Sequence, residues 1–239
     1  GMLGAFKARL APFNINYRYV DEELVYLLNN AKTRVLLYHS SLADRVAAIR
    51  DRIPSLELLV QVADDESDLL PDALDYETAL SESDQRRPEV EWDPDDLYIL
   101  YTGGTTGMPK GVLWRHSDVL IATLGGRRAN GHVLESLDEY VNRARGMGRK
   151  SLPAPPFMHG AGHWNALQML NAGGTVVIQS NVFRFDPKNV LEIIAREEVT
   201  TLLIVGDAFG RPLADELANN SHNVSSLRNI ITGGAIMTA

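Results

Sequence analysis

The sequence contains 239 residues, of which 45% are hydrophobic and 23% charged, and its 31 acidic and 23 basic side chains give a formal net charge of −8. This composition is typical of a globular protein with a sizeable core, and it excludes a disordered tail, a collagen-like fibre and a disulfide-stapled miniprotein. No apolar run reaches the roughly 18 residues that a membrane-spanning helix needs. The absence of cysteine excludes disulfides, thiolate nucleophiles and cysteine-based zinc sites, and it favours a cytoplasmic location.

The negative charge is concentrated in residues 64–96, which we call the acidic band. This segment has 14 acidic side chains and only Arg86 and Arg87 as basic ones, whereas the other 206 residues carry 21 basic and 17 acidic groups. Because prolines interrupt the acidic band, we predict an exposed, irregular segment with room for one short helix. The nearly neutral remainder has no basic surface of the kind that binds nucleic acid, so we expect no nucleic-acid partner.

The spacing of apolar residues predicts helices and strands that alternate along the chain. A helix from Asp21 would place Leu24, Leu27, Leu28 and Ala31 on one face. The other predicted helices cover residues 41–53, a segment capped by Ser117 that runs to about 125, one piece within 127–150, residues 186–198, and 208–219. The predicted strands cover residues 35–38, 56–62, 97–101, 175–178, 201–205 and 229–231. This alternation predicts an α/β fold of layered, largely parallel sheets flanked by helices.

A glycine-rich turn follows the strand at residues 97–101. Between Tyr101 and Gly111 (YTGGTTGMPKG) it combines four glycines, three threonines and Lys110. Glycines allow consecutive N–H groups to converge on an anion, and a lysine adds a mobile positive charge. With a strand before it and a helix after it, the turn would cradle a phosphate. It is neither a Walker A loop nor a dinucleotide-binding fingerprint, and from the residues alone a flexible surface turn stays possible.

The segment from Tyr101 to Gly111 resembles the phosphate-loop signature of the adenylate-forming (AMP-binding) superfamily. This superfamily includes acyl-CoA synthetases, firefly-type luciferases and nonribosomal-peptide adenylation domains. Residues 10–28, Pro155 to Gly160 and Leu227 to Ala235 are similar to other family segments in the same order. The resemblance implies that residues 1–239 belong to the large N-terminal AMP-binding domain, with the phosphate loop at 101–111.

The resemblance also implies a reaction in two steps. A carboxylate attacks the α-phosphorus of ATP to give an acyl-adenylate and pyrophosphate, and a thiol, usually that of coenzyme A, then displaces AMP to give a thioester. The expected partners are therefore a carboxylic acid, ATP with Mg²⁺, and coenzyme A. The sequences of these motifs are most similar to those of acyl-CoA synthetases that act on fatty or steroid-side-chain acids. This similarity implies a ligase of lipid metabolism.

Site residues are carried over from the family by position. The phosphate-binding residues implied are Thr102, Thr105, Thr106 and Lys110, with the N–H groups of Gly103, Gly104 and Gly107. Lys110 is also implied in catalysis, together with His159, which would orient the acid or stabilise charge near the α-phosphate. Gly233, Gly234 and Ala235 would pass close to the adenine.

Each of these assignments has a structural alternative. Without the family, His159 would more simply be a core histidine held by backbone groups, and Gly233 to Ala235 a plain turn. Trp164 and its aliphatic neighbours are either core or part of an acyl pocket. His163 follows His159 by four residues, but we reject a metal pair because no glutamate lies between them and because Gly160 and Gly162 disfavour a helix. We assign no metal ligand.

Relatives continue beyond the Gly-Gly-Ala turn to a Tyr-Gly-x-Thr-Glu motif, whose glutamate helps to hold Mg²⁺, and to a small C-terminal domain with the catalytic lysine. Because these parts are absent here, we expect an incomplete domain that binds ATP weakly, completes no turnover alone, and forms a homo-oligomer through unpaired strand edges. Two alternatives stay open, which are transfer of the acyl group to a carrier protein and a non-catalytic remnant that binds a nucleotide or a partner chain.

Overall fold

The computed structural model of the protein describes residues 1–63, 68–104, 107–145, 148–181 and 184–238. The chain divides into two units, residues 1–113 and residues 114–239. Each unit contains parallel strands and helices that pack against them, so the predicted α/β class is confirmed.

The first unit begins with helices and continues with a three-stranded sheet and a hairpin. Its elements are α1 (Met2–Lys7), α2 (Asp21–Asn30), β1 (Val35–His39), α3 (Ala43–Ile49), β2 (Leu58–Val62), β3 (Ala73–Asp75), α4 (Tyr76–Glu82), β4 (Leu97–Gly104) and β5 (Gly107–Arg115), the last of which ends two residues beyond the unit. The sheet has the order β1-β2-β3 with all strands parallel.

Helix α2 confirms the prediction made from its apolar spacing. Three acidic residues occupy its first turn, where they favour the positive end of the helix dipole, and Leu24, Leu27 and Leu28 are buried in the core of the unit. Strand β1 alternates between buried Leu36 and Tyr38 and exposed neighbours, so it is half-buried rather than fully buried. The helix predicted over 41–53 is divided, because α3 lies between two short 3₁₀ segments.

The acidic band is exposed along most of its described length, as predicted, but it is less irregular than its prolines suggest. Strand β3 pairs in parallel with β2, with Leu59 opposite Ala73, and α4 is capped by the Asp75 carboxylate, which accepts from the Thr78 N–H. The prediction missed β3 because its pairing depends on a strand that is distant in sequence. Residues 64–67 of the band lie outside the described residues.

The second unit has a four-stranded sheet flanked by helices. Its elements are α5 (His116–Ala122), α6 (Leu137–Ala144), β6 (Lys150–Pro153), α7 (Gly160–Asn171), β7 (Thr175–Val176), α8 (Pro187–Glu197), β8 (Thr201–Ile204), α9 (Gly206–Asn219) and β9 (Asn229–Thr232). The predicted Ser117 cap is wrong by two positions, since Arg115 is the N-cap residue of α5. Strand β6 and helix α7 were not predicted.

The sheet of the second unit has the order β7-β6-β8-β9, and all its strands are parallel. Strand β8 is buried along its whole length. It packs under α8, the helix predicted over residues 186–198, which begins with a capping Asp186 followed by Pro187. Since all strands run the same way, the segments after β6, β8 and β9 emerge at one edge of the sheet, which is where open α/β sheets bind ligands.

Candidate functional site

The described residues of the predicted phosphate loop lie on β4 and β5, the hairpin of the first unit. Strands β4 and β5 make a two-stranded sheet, and the two residues that connect them, Thr105 and Thr106, lie outside the described residues. The helix that we expected from about Ser117 is α5, and it does not follow the loop directly. A strand follows instead, and Gly111 within it permits close packing, because a Cβ at this position would lie 3.1 Å from the Ile99 Cγ2 atom and from the Tyr101 ring.

Two glycines of this hairpin have open space around them. Among the described residues, a Cβ placed at Gly103 or Gly107 would meet no atom within 4 Å, and both residues are exposed. Packing within the chain therefore does not require glycine at either position. Exposed backbone without side chains is what a ligand needs for close approach to main-chain N–H groups.

Lys110 lies on β5, close to the hairpin tip, and its side chain is exposed. Among the described residues, no carboxylate lies within ion-pair distance of its ammonium group. Thr102, on β4, is exposed as well. Gly104 is the last residue of β4. The hairpin thus combines an exposed cation, a hydroxyl group and uncovered backbone.

In the second unit, the other predicted site residues lie at the carboxyl edge of the sheet. His159 follows β6 and is the N-cap residue of α7, while Gly233 to Ala235 follow β9. Strands β6 and β9 both pair with β8. The sheet therefore brings two segments that are more than 70 residues apart in sequence to the same edge.

His159 is exposed, whereas His163 is the buried histidine. The His163 Nδ1 atom lies 2.9 Å from the carbonyl oxygen of His159 and 3.0 Å from that of Phe157. Since carbonyl oxygens only accept, Nδ1 carries the proton and donates to both. The alternative of a core histidine held by backbone groups therefore fits His163 rather than His159.

The expectation that Gly160 and Gly162 prevent a helix is wrong, since α7 begins at Gly160. A Cβ at Gly162 would lie 2.6 Å from the carbonyl oxygens of Pro155 and Pro156. Glycine lets the first turn of α7 approach these carbonyls, and this tertiary packing outweighs the low helix propensity of glycine. Helix α7 is also fixed to β6 by a buried hydrogen bond, in which the Ser151 hydroxyl donates to the Asn165 Oδ1 atom at 2.7 Å.

Burial lowers the pKa of His163 below its ordinary value of 6.5, although the two carbonyl contacts oppose that shift. The unfolded chain therefore binds a proton at a higher pH than the folded chain does. The contribution of neutral His163 to the free energy of unfolding is therefore at its full value above pH 6.5, and it decreases as the pH falls below that value. We predict that the melting temperature falls less between about pH 7.5 and about pH 5.5 in His163→Asn than in the unsubstituted chain. Equal declines in calorimetry would contradict this prediction.

Trp164 is partly buried and meets the Trp114 ring edge to face, with ring centroids 5.7 Å apart. The Nε1–H group of Trp114 is buried and has no hydrogen-bond acceptor among the described residues. This aromatic pair lies within the second unit and gives Trp164 a packing role. Its proposed part in an acyl pocket stays a prediction.

The turn from Gly233 to Ala235 is exposed, and Gly234 adopts the left-handed conformation with φ of +84°. Asp207, to which the sequence assigns no role, lies beside this turn. Its carboxylate accepts hydrogen bonds from both the N–H and the hydroxyl of Thr238, at 2.9 Å and 2.8 Å. No local sequence pattern indicates this contact, because it joins residues 31 positions apart.

Two negative findings apply to the described residues. They contain no group of three or more histidine, aspartate or glutamate side chains that could hold a metal ion. They also contain no helix that is both long and apolar enough to cross a membrane.

Comparison with known proteins identifies the family. A family model described as "AMP-binding enzyme" matches residues 1–239, so the chain belongs to the AMP-binding enzyme family. The resemblance drawn from the phosphate-loop signature is thereby confirmed.

Two curated relatives illustrate the similarity in sequence. The chain is 46% identical over 240 residues to the medium-chain acyl-CoA ligase Mig of Mycobacterium avium, covering 99% of this chain and 44% of that protein. It is 36% identical over 221 residues to a 3-oxocholest-4-en-26-oate–CoA ligase of Rhodococcus rhodochrous, covering 90% of this chain and 39% of that protein. The chain therefore spans less than half the length of these relatives.

Solved structures agree with the fold. The N-terminal domain of FACL13 from Mycobacterium tuberculosis, in an inhibitor-bound crystal structure, matches with a TM-score of 0.74 and 25% identity over 98% of this chain and 53% of that chain. ATP-bound MatB from Rhodopseudomonas palustris matches with a TM-score of 0.72 and 24% identity, over 98% of this chain and 41% of that chain. The layered α/β fold is therefore that of adenylate-forming enzymes.

Proposed function

We propose that this chain takes part in the ATP-dependent activation of a carboxylic acid to an acyl-adenylate, followed by transfer of the acyl group to coenzyme A. One observation carries the proposal, namely that a member of the AMP-binding family exposes Lys110 on a hairpin whose neighbouring glycines have open space around them. These features suit a polyphosphate ligand.

The proposed role of the hairpin is to bind the β- and γ-phosphates of ATP. The Lys110 ammonium and the hydroxyls of Thr102, Thr105 and Thr106 would donate to phosphate oxygens, as would the N–H groups of Gly103, Gly104 and Gly107. Charge accumulates on the departing pyrophosphate during adenylation, and donors that are already in place stabilise it without reorganisation. Mg²⁺ stays a prediction, and it usually binds through substrate phosphates together with only one or two carboxylates.

The second unit would hold the acid and the nucleoside. His159 lies exposed at the start of α7, where a ring N–H could donate to the carboxylate or to the α-phosphate. The fixed Nδ1 contacts of His163 hold the backbone carbonyl of His159, so the position of His159 is determined by its neighbour. Gly233 to Ala235 would contact the adenine, since glycine permits close approach to a flat ring.

The acid class is proposed from the relatives. One is named as a medium-chain acyl-CoA ligase and another as a ligase of a steroid-side-chain acid, and a medium-chain fatty acid is our first choice because the first of these relatives has the higher identity. We assign residues 1–239 to the N-terminal AMP-binding domain of such a ligase, and the match to the FACL13 N-terminal domain supports this assignment. A cytoplasmic location stays a prediction from the composition.

The proposed function is tested by separating its steps. We expect the 239-residue chain to bind ATP and inorganic tripolyphosphate saturably, though weakly, in calorimetric or NMR titrations. A form of the protein that spans the length of its relatives should catalyse ATP–pyrophosphate exchange only when a medium-chain acid is present, and should then form a coenzyme A thioester. Exchange without thioester formation would favour a carrier-protein acceptor, and the absence of exchange with intact nucleotide binding would favour a non-catalytic remnant.

We also propose that the chain self-associates through β9. Within the described residues β9 pairs on one side only, with β8, and all four of its residues are exposed, with Ile230 at 57% and Ile231 at 43%. An uncharged edge strand with exposed apolar side chains is a template for pairing, here with β9 of a second copy.

The β9 proposal predicts that Ile230→Lys lowers the oligomer fraction in sedimentation velocity, because two lysines would face each other across the paired edges. Leu137→Lys is the matched control, since Leu137 is 77% exposed but lies on a helix. A chain that is monomeric at all concentrations would refute the proposal, as would equal effects of the two substitutions.

A further inference from the structure

The first turn of α9 is hydrogen-bonded to both ends of the turn from Gly233 to Ala235. The Gly206 N–H donates to the Thr232 hydroxyl at 3.0 Å, directly before the turn. The Asp207 N–H donates to the Ile236 carbonyl at 3.1 Å, directly after it. One end of one helix therefore fixes where the turn begins and where it finishes.

The Asp207 carboxylate adds a second attachment on the far side of the turn. Its Oδ1 and Oδ2 atoms accept from the Thr238 N–H and hydroxyl, and the Arg211 Nε atom lies 3.2 Å from Oδ2. Arg211 also donates through Nη2 to the Thr238 hydroxyl at 2.9 Å. These contacts, led by the Thr238 N–H, lower the pKa of Asp207, so the carboxylate is ionised and accepts at neutral pH.

Gly206 allows this attachment to be close. Its φ is +52°, and a Cβ there would overlap the Ile236 carbonyl oxygen and would lie 2.9 Å from the Ala235 Cβ atom. Any side chain at position 206 would separate α9 from the segment after the turn. The contact between the two is therefore direct packing of backbone on backbone.

The turn itself is left open. A Cβ at Gly233 would meet nothing within 4 Å, and one at Gly234 would meet only the Val205 Cγ1 atom, at 3.7 Å. A segment that is fixed at both ends and uncovered between them is preorganised, so a ligand does not have to order it on binding. Neither Asp207 nor Arg211 belongs to the hydrophobic core of the second unit, since their side chains are 29% and 70% exposed.

We infer that Asp207 is a positioning residue for the nucleoside-binding turn. It acts through Thr238 and Ile236 rather than by touching the ligand, and Arg211 supports its carboxylate. This inference rests on the proposed function, in which Gly233 to Ala235 contact the adenine. It assigns to the start of α9 the task of holding that turn in the conformation that binds AMP.

The inference is tested by measuring AMP and tripolyphosphate affinities separately. In Asp207→Asn, one carboxylate oxygen becomes an amide that cannot accept from Thr238, and we expect the dissociation constant for AMP to rise about tenfold. Tripolyphosphate affinity should be unchanged, because it depends on the hairpin in the first unit. Hydrogen exchange of the amides at 233–235 should become faster in the same variant.

Matched variants make the result specific. Asp215→Asn removes the same charge from an exposed position of α9 and should alter neither affinity. Thr238→Val should reproduce the loss of AMP affinity and Thr238→Ser should not, which keeps the test available if Asp207→Asn fails to fold.

The outcomes separate the inference from the proposed function. If the unsubstituted chain binds AMP and Asp207→Asn binds it equally well, the inference alone is overturned. Parallel losses of AMP and tripolyphosphate affinity would also overturn it, because they would indicate a general loss of structure. If the unsubstituted chain binds neither ligand, the proposed function fails and the inference fails with it.

Discussion

We expect Lys110→Ala to lower acid-dependent ATP–pyrophosphate exchange by about 100-fold to 1000-fold, the usual effect of removing one preorganised donor from developing negative charge. The measurement needs a form of the protein that spans the length of its relatives. In the 239-residue chain, we expect the same substitution to weaken binding of tripolyphosphate and of ATP and to leave AMP affinity unchanged. This pattern is the reverse of the one expected for Asp207→Asn.

We expect Lys110→Ala to act by removing a charge from the ligand site and not by destabilising the fold. The Lys110 side chain is exposed, so its truncation removes little packing, and the melting temperature should stay within the error of the measurement. Lys7→Ala is the matched control, because Lys7 is an exposed lysine of the same unit on α1. Unchanged pyrophosphate exchange in Lys110→Ala would show that Lys110 is not part of the site. An equal loss of exchange in Lys110→Ala and Lys7→Ala would show that the effect comes from the lower net charge.

The helices that were predicted correctly are specified by capping residues and apolar spacing within their own sequence. Helix α8 has a capping Asp186 followed by Pro187, and α2 has acids in its first turn and leucines at helical spacing. Each of these signals acts through local hydrogen bonds or through one continuous apolar face. The α/β fold with largely parallel sheets was predicted because strand and helix patterns alternate along the chain. Each of those patterns is local as well.

The elements that were missed depend on packing or pairing with another segment rather than on a pattern within their own residues. Strand β3 is three residues long and exists because β2 offers a parallel edge, and α7 begins with glycines that only tertiary packing explains. The segment up to Gly111 was predicted as a glycine-rich turn, yet Gly107 to Arg115 form a strand that pairs with β4. A segment rich in glycine and proline has weak local preference, so its neighbour in the sheet decides its conformation.

The residues of the candidate site likewise fall into those that the sequence indicates and those that only the structure shows. Lys110, His159 and the Gly-Gly-Ala turn were identified from the wording of family motifs, and their roles stay predictions. Asp207 and His163 were not assigned by sequence, because each acts on backbone groups: Asp207 holds the N–H of Thr238, and His163 holds the carbonyl of His159. Residues that position others through the main chain leave no local pattern, and the structure is needed to find them.

Gly162→Ala is expected to have the largest effect on stability. Its new Cβ would lie 2.6 Å from two carbonyl oxygens and 2.9 Å from the Pro156 carbonyl carbon, all of them backbone atoms that cannot rotate away. Overpacking of this kind destabilises a protein by about 2 kcal/mol, which lowers the melting temperature of a chain of this size by about 5 °C. Differential scanning calorimetry measures both quantities.

The same substitution should also disturb the site, because the Pro156 carbonyl that the new Cβ displaces accepts from the His159 N–H at 3.1 Å. We therefore expect Gly162→Ala to slow pyrophosphate exchange even at temperatures where the chain stays folded. Gly4→Ala is the matched control, since Gly4 is also helical and a Cβ there would meet nothing within 4 Å. That control should be neutral or stabilising by up to about 1 kcal/mol, because alanine restricts the unfolded chain. Equal melting temperatures for the two variants would mean that α7 does not approach Pro155 and Pro156 as closely as the structure has it, and the positioning of His159 by this contact would have to be abandoned.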